Sequence, residues 1–241
     1  MHYVGLGGFG CRFSSHASNA GFRVLACVGS KGDLLRVSEG KTVEVAPDIG
    51  YNRDWRRASE ELADHEKAMN TIRKCLEQHL DGPTLMAFGL GGAVGFALAR
   101  PFLEDPPVPF VLLVTIPGES EDPQVRRNAR EQVDVVLKVS SKLPILWVDN
   151  DIGGGYDRVN RMLEKTLSEF REFLNVPVEE LPNMAGNYAV SPSLPGERVT
   201  EEIVKTNPSE IRRLVSDREP EERVIKEERK GPDPDSLREL F

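Results

Sequence analysis

Two glycine clusters, "GLGGFG" at Gly5–Gly10 and "GLGGAVG" at Gly89–Gly95, each stand between an apolar run and a helix-competent run. This pairing restricts the fold more than any other feature of the chain. At the carboxyl end of a parallel strand, glycines let the backbone approach a ligand closely. The helix that follows offers free N–H groups and the positive end of its dipole, a combination that binds phosphate. Either cluster alone also fits a turn that packs a helix tightly on its strand. In a doubly wound sheet, however, the first and fourth strands are neighbours where the strand order reverses, so clusters following those two strands face one crevice.

The segments between the clusters fit such a sheet. "HYVGLG" starts a strand, "CRFSSHASNAG" is a helix closed by Gly21, and "FRVLACVG" and "TVEVA" are two more strands. From Asn52 to Leu80, the residues Trp55, Leu62, Met69, Ile72 and Leu76 recur at helical spacing among charges, which predicts one long amphipathic helix. "TLMAFGL", a helix through Phe102, "PFVLLVTIP", a helix near Gln124 to Leu143, "PILWVDND" and a helix near Tyr156 to Phe173 follow. The strands are almost continuously apolar, as expected when helices cover both sheet faces. The predicted fold class is therefore α/β: a doubly wound, mostly parallel sheet with helices on both faces. This domain is expected to occupy 1–175. The Pro-, Gly- and Asn-rich stretch 176–206 is expected to be loop. The charged stretch 207–241, whose main apolar residues are Ile211, Leu214, Val224 and Ile225, is expected to be a helical or partly disordered extension that contacts a protein partner.

Charge and composition narrow the function. A formal net charge of -8 gives no electrostatic case for nucleic acid, which requires clustered Lys and Arg. Cys11, Cys27 and Cys75 form no CxxC, and His2, His16, His65 and His79 form no metal-ligand pattern, so neither a structural metal nor a catalytic histidine is expected. No apolar run approaches a membrane span and the N-terminus carries no export signal, so the expected location is the cytoplasm, without direct membrane insertion.

The motifs resemble the tubulin/FtsZ superfamily, collinearly over roughly Met1 to Phe173. "GLGGFG" resembles its first phosphate loop and "GLGGAVG" its glycine-rich signature, usually written GGGTGTG. "PDIG" at Pro47 resembles PEVG, "LVTIPGESED" resembles VVTKPFxFEG, and "ILWVDND" resembles IVIPND. The resemblance implies a Rossmann-like GTPase domain that binds GTP or GDP. Gly7, Gly8, Gly10, Gly91, Gly92 and Gly95 would cradle the phosphates, and Glu121 and Asn150 would hold the sugar. Tyr156 and Asn160, four apart in "GYDRVNRML" and so on one helix face, would take the base. Any Mg²⁺ would ride on the phosphates.

The departures bear on turnover. Ala93 stands at the third signature glycine, and Val94 and Phe96 stand where the family has phosphate-contacting threonines. Arg12 takes the place of an asparagine in the first loop. The loop written NxDFAD, which positions the attacking water, is here "ELPNMAG", with Leu181, Asn183 and Gly186 near the family's key positions. No residue is therefore assigned a catalytic role. The resemblance implies a guanine-nucleotide-binding protein with weak or no self-activated GTP hydrolysis and a cytoskeletal or regulatory role. Two alternatives stand beside it. "GLGGFG" also satisfies the GxGxxG dinucleotide fingerprint, and Ser30 and Lys31 after the second strand suit the 2′-phosphate of an NADP-dependent oxidoreductase. The other alternative is a non-catalytic interaction protein.

Overall fold

The computed structural model describes residues 1–46, 51–78, 82–151, 156–191 and 202–216, with the side chains of 46, 156–161, 173, 191 and 202 outside the description. Eight strands form one sheet: β1 (His2–Leu6), β2 (Arg23–Ser30), β3 (Lys41–Ala46), β4 (Thr84–Gly89), β5 (Val111–Ile116), β6 (Pro144–Asp149), β7 (Gly186–Ser191) and β8 (Glu202–Thr206). Their order is β3-β2-β1-β4-β5-β6-β7-β8. Every neighbouring pair is parallel except β7 and β8. The strand order reverses between β1 and β4, which pair directly from His2↔Thr84 to Gly5↔Ala87. The carboxyl ends of the two strands that precede the glycine clusters therefore lie side by side.

Both faces of the sheet are buried, which is why its strands read as continuous apolar runs. On β4, Leu85 and Ala87 enter one core while Met86 and Phe88 enter the other. On β5, Val111 and Leu113 alternate in the same way with Leu112 and Val114. One face is covered by α1 (Gly7–Asn19), α7 (Tyr156–Phe173) and a 3₁₀ segment, Val178–Met184. The other carries α3 (Trp55–Ala63), α4 (Glu66–Glu77), α5 (Val94–Glu104), α6 (Pro123–Leu137) and α8 (Pro208–Ser216). A short helix, α2 (Lys31–Leu34), follows β2.

Two sequence expectations are corrected, and the helix expected after Asn207 is found docked on the core. The single helix expected over Asn52 to Leu80 is two helices: α3 ends at its cap Asp64, and His65 restarts the chain by accepting the Ala68 N–H on Nδ1 at 3.3 Å. The apolar periodicity runs through this break because both helices bury the same face. The stretch 176–206, expected to be loop, supplies β7 and β8. Its polar composition misleads because Asn187 is a buried partner of Trp147, whose indole N–H it accepts at 2.9 Å, and Tyr188 is buried at 8% exposure. The charged stretch from Asn207 begins with α8, which buries Ile211 and Val215 in the main core and ties Arg212 to Asp134 of α6 at 2.7 Å. Residues 217–241 lie outside the described residues.

The two glycine clusters touch. Gly7 has φ of +62°, and a Cβ on it would fall 2.6 Å from the Gly95 nitrogen and 2.7 Å from the Gly95 Cα. A Cβ on Gly95 would lie 2.8 Å from the Leu6 carbonyl oxygen. Gly10 is pressed between Gly5 and the Ala87 carbonyl of β4, and Tyr3 donates its hydroxyl to the Gly10 carbonyl at 2.7 Å. Gly10→Ala is therefore expected to destabilise the fold by about 1–3 kcal/mol, the usual range for overpacking a tight interior. Chemical denaturation measures this, and an unchanged midpoint would mean that α1 can ride off β4 without loss.

Candidate functional site

A cleft of about 730 Å³ opens over the carboxyl ends of β1, β4, β5 and β6. Gly8, Gly91, Gly92, Gly95, Glu121 and Asn150 line it. Six of the ten predicted binding residues thus share one cavity. Gly7 and Gly10 do not line it and serve packing: Gly7 sets α1 against Gly95 of α5, and Gly10 sets it against β1 and β4. For Tyr156 and Asn160 the backbone opens α7, but their side chains lie outside the described residues, as does all of "PDIG".

The glycines divide by role. A Cβ on Gly92 would meet nothing nearer than the Gly89 carbonyl oxygen, at 3.6 Å, so this residue faces open space. Gly91, at φ +80°, is instead pressed against Val125 of α6. Its N–H donates to Gln132 Oε1 at 2.7 Å and so is not directed at the cleft.

Two helix N-termini bound the cavity. Helix α1 begins after Leu6 and α5 after Ala93; neither has a side-chain cap or an acidic residue in its first turn. By contrast, Ser30, Asp54, His65 and Asp122 cap α2, α3, α4 and α6 with their side chains. An uncapped N-terminus leaves backbone N–H groups to be satisfied by water or an anion, and the helix dipole favours the anion. Arg12, Arg36 and Arg53 also line the cleft. Arg12 braces its Nε on the Gly8 carbonyl at 2.8 Å. Arg53 pairs with Asp122, whose carboxyl is held below the usual range by the Gln124 N–H and then by that guanidinium. Of the nearby acids, Asp33 is engaged in a capping box with Ser30.

Beyond β5, the predicted sugar-holding pair is preassembled. Asn150 donates Nδ2 to Glu121 Oε1 at 2.9 Å, and the same oxygen accepts the Gly118 N–H at 3.0 Å. Asn150 is fixed from below by its own N–H, which donates to the Ile116 carbonyl at 3.1 Å. The far wall is aromatic: Phe9 stacks on Phe13 at 5.4 Å, and Phe13 stacks on His16 at 5.5 Å. His16 then reaches Glu164 of α7 at 2.9 Å, joining the two helices beside the cleft.

Several of these residues carry no sequence signal that singles them out. Phe9, Phe13 and His16 form a recognisable i, i+4, i+7 stripe, which is equally the pattern of a core-facing helix. Asn128 and Gln132, polar residues four apart, are buried at 2% and 0% exposure beneath the second glycine loop, among positions where helix periodicity predicts apolar side chains. Phe96 is fully buried and meets Trp55 edge-on at 5.2 Å, so it serves the core. Leu181 is likewise buried, while Asn183 is exposed. Among the described residues no group of three or more His, Cys, Asp or Glu could hold a metal ion, and no helix is long and apolar enough to cross a membrane.

No protein-family model and no curated protein matches the sequence. Solved structures do match. The monomeric subunit of TubZ from bacteriophage PhiKZ is 14% identical over 90% of this chain and 95% of that one, with a TM-score of 0.66. CetZ2 from Haloferax volcanii, in a GTPγS-bound protofilament, is 22% identical over 81% of this chain and 68% of that one, at 0.59. An FtsZ from M. jannaschii is 14% identical at 0.59, and the match covers 78% of this chain and 64% of that one. The eight-stranded, mostly parallel sheet is thus a tubulin/FtsZ-like fold.

The link between α1 and α7 can be tested through pH. His16, then Asn19, hydrogen-bonds the Glu164 carboxylate and holds it below the usual range. A carboxyl lowered in this way adds stability above its unfolded pKa of about 4.3, and that stability is lost as pH falls through the folded value. His16→Ala is expected to raise the Glu164 titration midpoint seen by NMR. An unchanged midpoint would show that the pair does not form in solution.

Proposed function

We propose that this chain, with its tubulin/FtsZ-like fold, binds a guanine nucleotide, GTP or GDP, in the cleft over β1, β4, β5 and β6. One observation carries the reading: two glycine loops meet back to back at Gly7 and Gly95, and the two uncapped helix N-termini that follow them border one cavity. A polyphosphate supplies the charge that such an arrangement lacks. Gly8 and Gly92 would offer close backbone approach, with Gly91 and Gly95 shaping the second loop. Glu121 and Asn150 would hold the sugar, and Tyr156 and Asn160 the base. Mg²⁺, if carried, would ride on the phosphates.

The chain's own residues bind and orient the ligand more convincingly than they activate water. The 3₁₀ segment after α7 puts Leu181 in the core, and its two acids, Glu179 and Glu180, are exposed and do not line the cleft. Losing an oriented acid or base typically costs about 10²- to 10⁴-fold in rate. The isolated chain is therefore proposed to hydrolyse GTP at or near background and to act in the cytoplasm in a cytoskeletal or regulatory role. A protein partner is proposed for the charged stretch 207–241.

A ligand that binds only the folded state stabilises it by about 2.7 kcal/mol at a hundredfold excess over Kd. GDP and GTP are expected to raise the melting temperature, whereas NADPH is not; the opposite result would favour the oxidoreductase. Gly92→Val is expected to abolish the nucleotide shift while keeping a cooperative melt. Retained affinity in that variant would mean that the second loop only packs. Phosphate release that rises steeply with protein concentration would overturn the low-turnover reading.

A further inference from the structure

We infer that Asn128 and Gln132 of α6 are positioning residues that aim the N–H groups of Gly92 and Ala93 at an anion in the cleft. Gln132 grips the second glycine loop at two points. Its Oε1 accepts the Gly91 N–H at 2.7 Å, and its Nε2 donates to the Gly92 carbonyl at 3.1 Å. Asn128 Nδ2 donates to the Gly91 carbonyl at 3.1 Å and to the Arg53 carbonyl at 2.8 Å, while its Oδ1 accepts Gln124 Nε2 at 2.8 Å. Both amides are almost fully buried, so these bonds are shielded from competing water.

The consequence follows from the planar trans peptide. In a trans unit the carbonyl and the N–H point in opposite directions, and the chain has no cis bonds among its described residues. Asn128 turns the Gly91 carbonyl towards α6, so the N–H of the same unit, on Gly92, points away from α6. Gln132 does the same to the Gly92 carbonyl, which sends the Ala93 N–H the same way. Gly92 and Ala93 line the cleft, and the space beside Gly92 is open. Two successive donors are thereby set at the start of α5, where Val94 and Phe96 bring no hydroxyl. Asn128 also fastens this loop to Arg53 on the segment before α3, so the two sides of the cleft mouth share one side chain.

The inference deepens the reading above, since it concerns the phosphate end of the same cleft, yet it stands on the anion alone. The test uses inorganic pyrophosphate and GDP on the full chain. In the wild type, the Gly92 and Ala93 amide resonances are expected to move on titration with pyrophosphate, while that of Gly91, engaged by Gln132, stays in place. Gln132→Met is expected to weaken pyrophosphate by about tenfold, the effect of one misaligned hydrogen bond, with guanosine affinity unchanged. An equal loss for guanosine would reduce the amides to general support of the fold and overturn the inference. So would unchanged pyrophosphate affinity, or a Gly91 resonance that moves while Gly92 and Ala93 do not. If Gln132→Met does not fold, the wild-type resonances decide alone. GDP binding no tighter than pyrophosphate would sink the guanine reading and leave this inference standing. A wild type that ignores pyrophosphate but takes GDP would do the reverse.

Discussion

The structure depends on a contact between two stretches of backbone. Gly7 lies against Gly95 at a distance no Cβ would permit, at the point where β1 and β4 pair and the strand order of the sheet reverses. Because the loops touch there, α1 and α5 leave the sheet from neighbouring points, with their N-termini on the same side. The dipoles of two helices then act on one volume, and neither terminus has a capping side chain. Side chains in place of these glycines would separate the helices and divide the cleft. The requirement that makes the packing close is thus the one that brings both helix N-termini to the same cavity.

Around that contact, α6 carries the positional information. Through Asn128 and Gln132 it fixes the second glycine loop, and through Glu131 it reaches Trp55 Nε1 at 2.9 Å and Arg56 at 2.8 Å. Helix α8 packs on its outer side. One helix therefore references the loop, the segment leading into α3 and the C-terminal part of the described chain to a common frame. Buried amide networks that are fully satisfied specify a single arrangement, because any shift leaves a polar atom unpaired in a low-dielectric interior.

The sequence made the sheet legible because its signals there are strong and local. Near-continuous apolar strands, glycine at each handover and helical periodicity between them require parallel strands covered on both faces, and the adjacency of β1 and β4 follows from doubly wound topology. Six of the predicted residues line the cleft for that reason. The failures are non-local. The break at Asp64–His65 is decided by a cap, which leaves the apolar period intact. Strand β7 is hidden by Asn187, whose polarity signals loop until Trp147 on β6 is seen to hydrogen-bond it. Asn128 and Gln132 look like surface residues in a list of letters, because the groups they satisfy are main-chain atoms some 40 positions away.

Two apolar residues in the first turn of α5 stand where the sequence resemblance implies hydroxyls. Both are buried: Phe96 packs on Trp55 and Phe88, and Val94 joins the same core. Burying a large aromatic ring contributes about 1.5–3 kcal/mol to the fold, whereas an exposed hydroxyl contributes little to it. In the proposed site the groups that face an anion are therefore backbone N–H groups and the nearby arginines Arg12, Arg36 and Arg53, with no hydroxyl from the first turn of α5. Backbone donors respond to the charge and shape of a phosphate chain but carry no proton to transfer. With the binding proposed above, chemistry on the bound phosphate would need groups supplied from elsewhere.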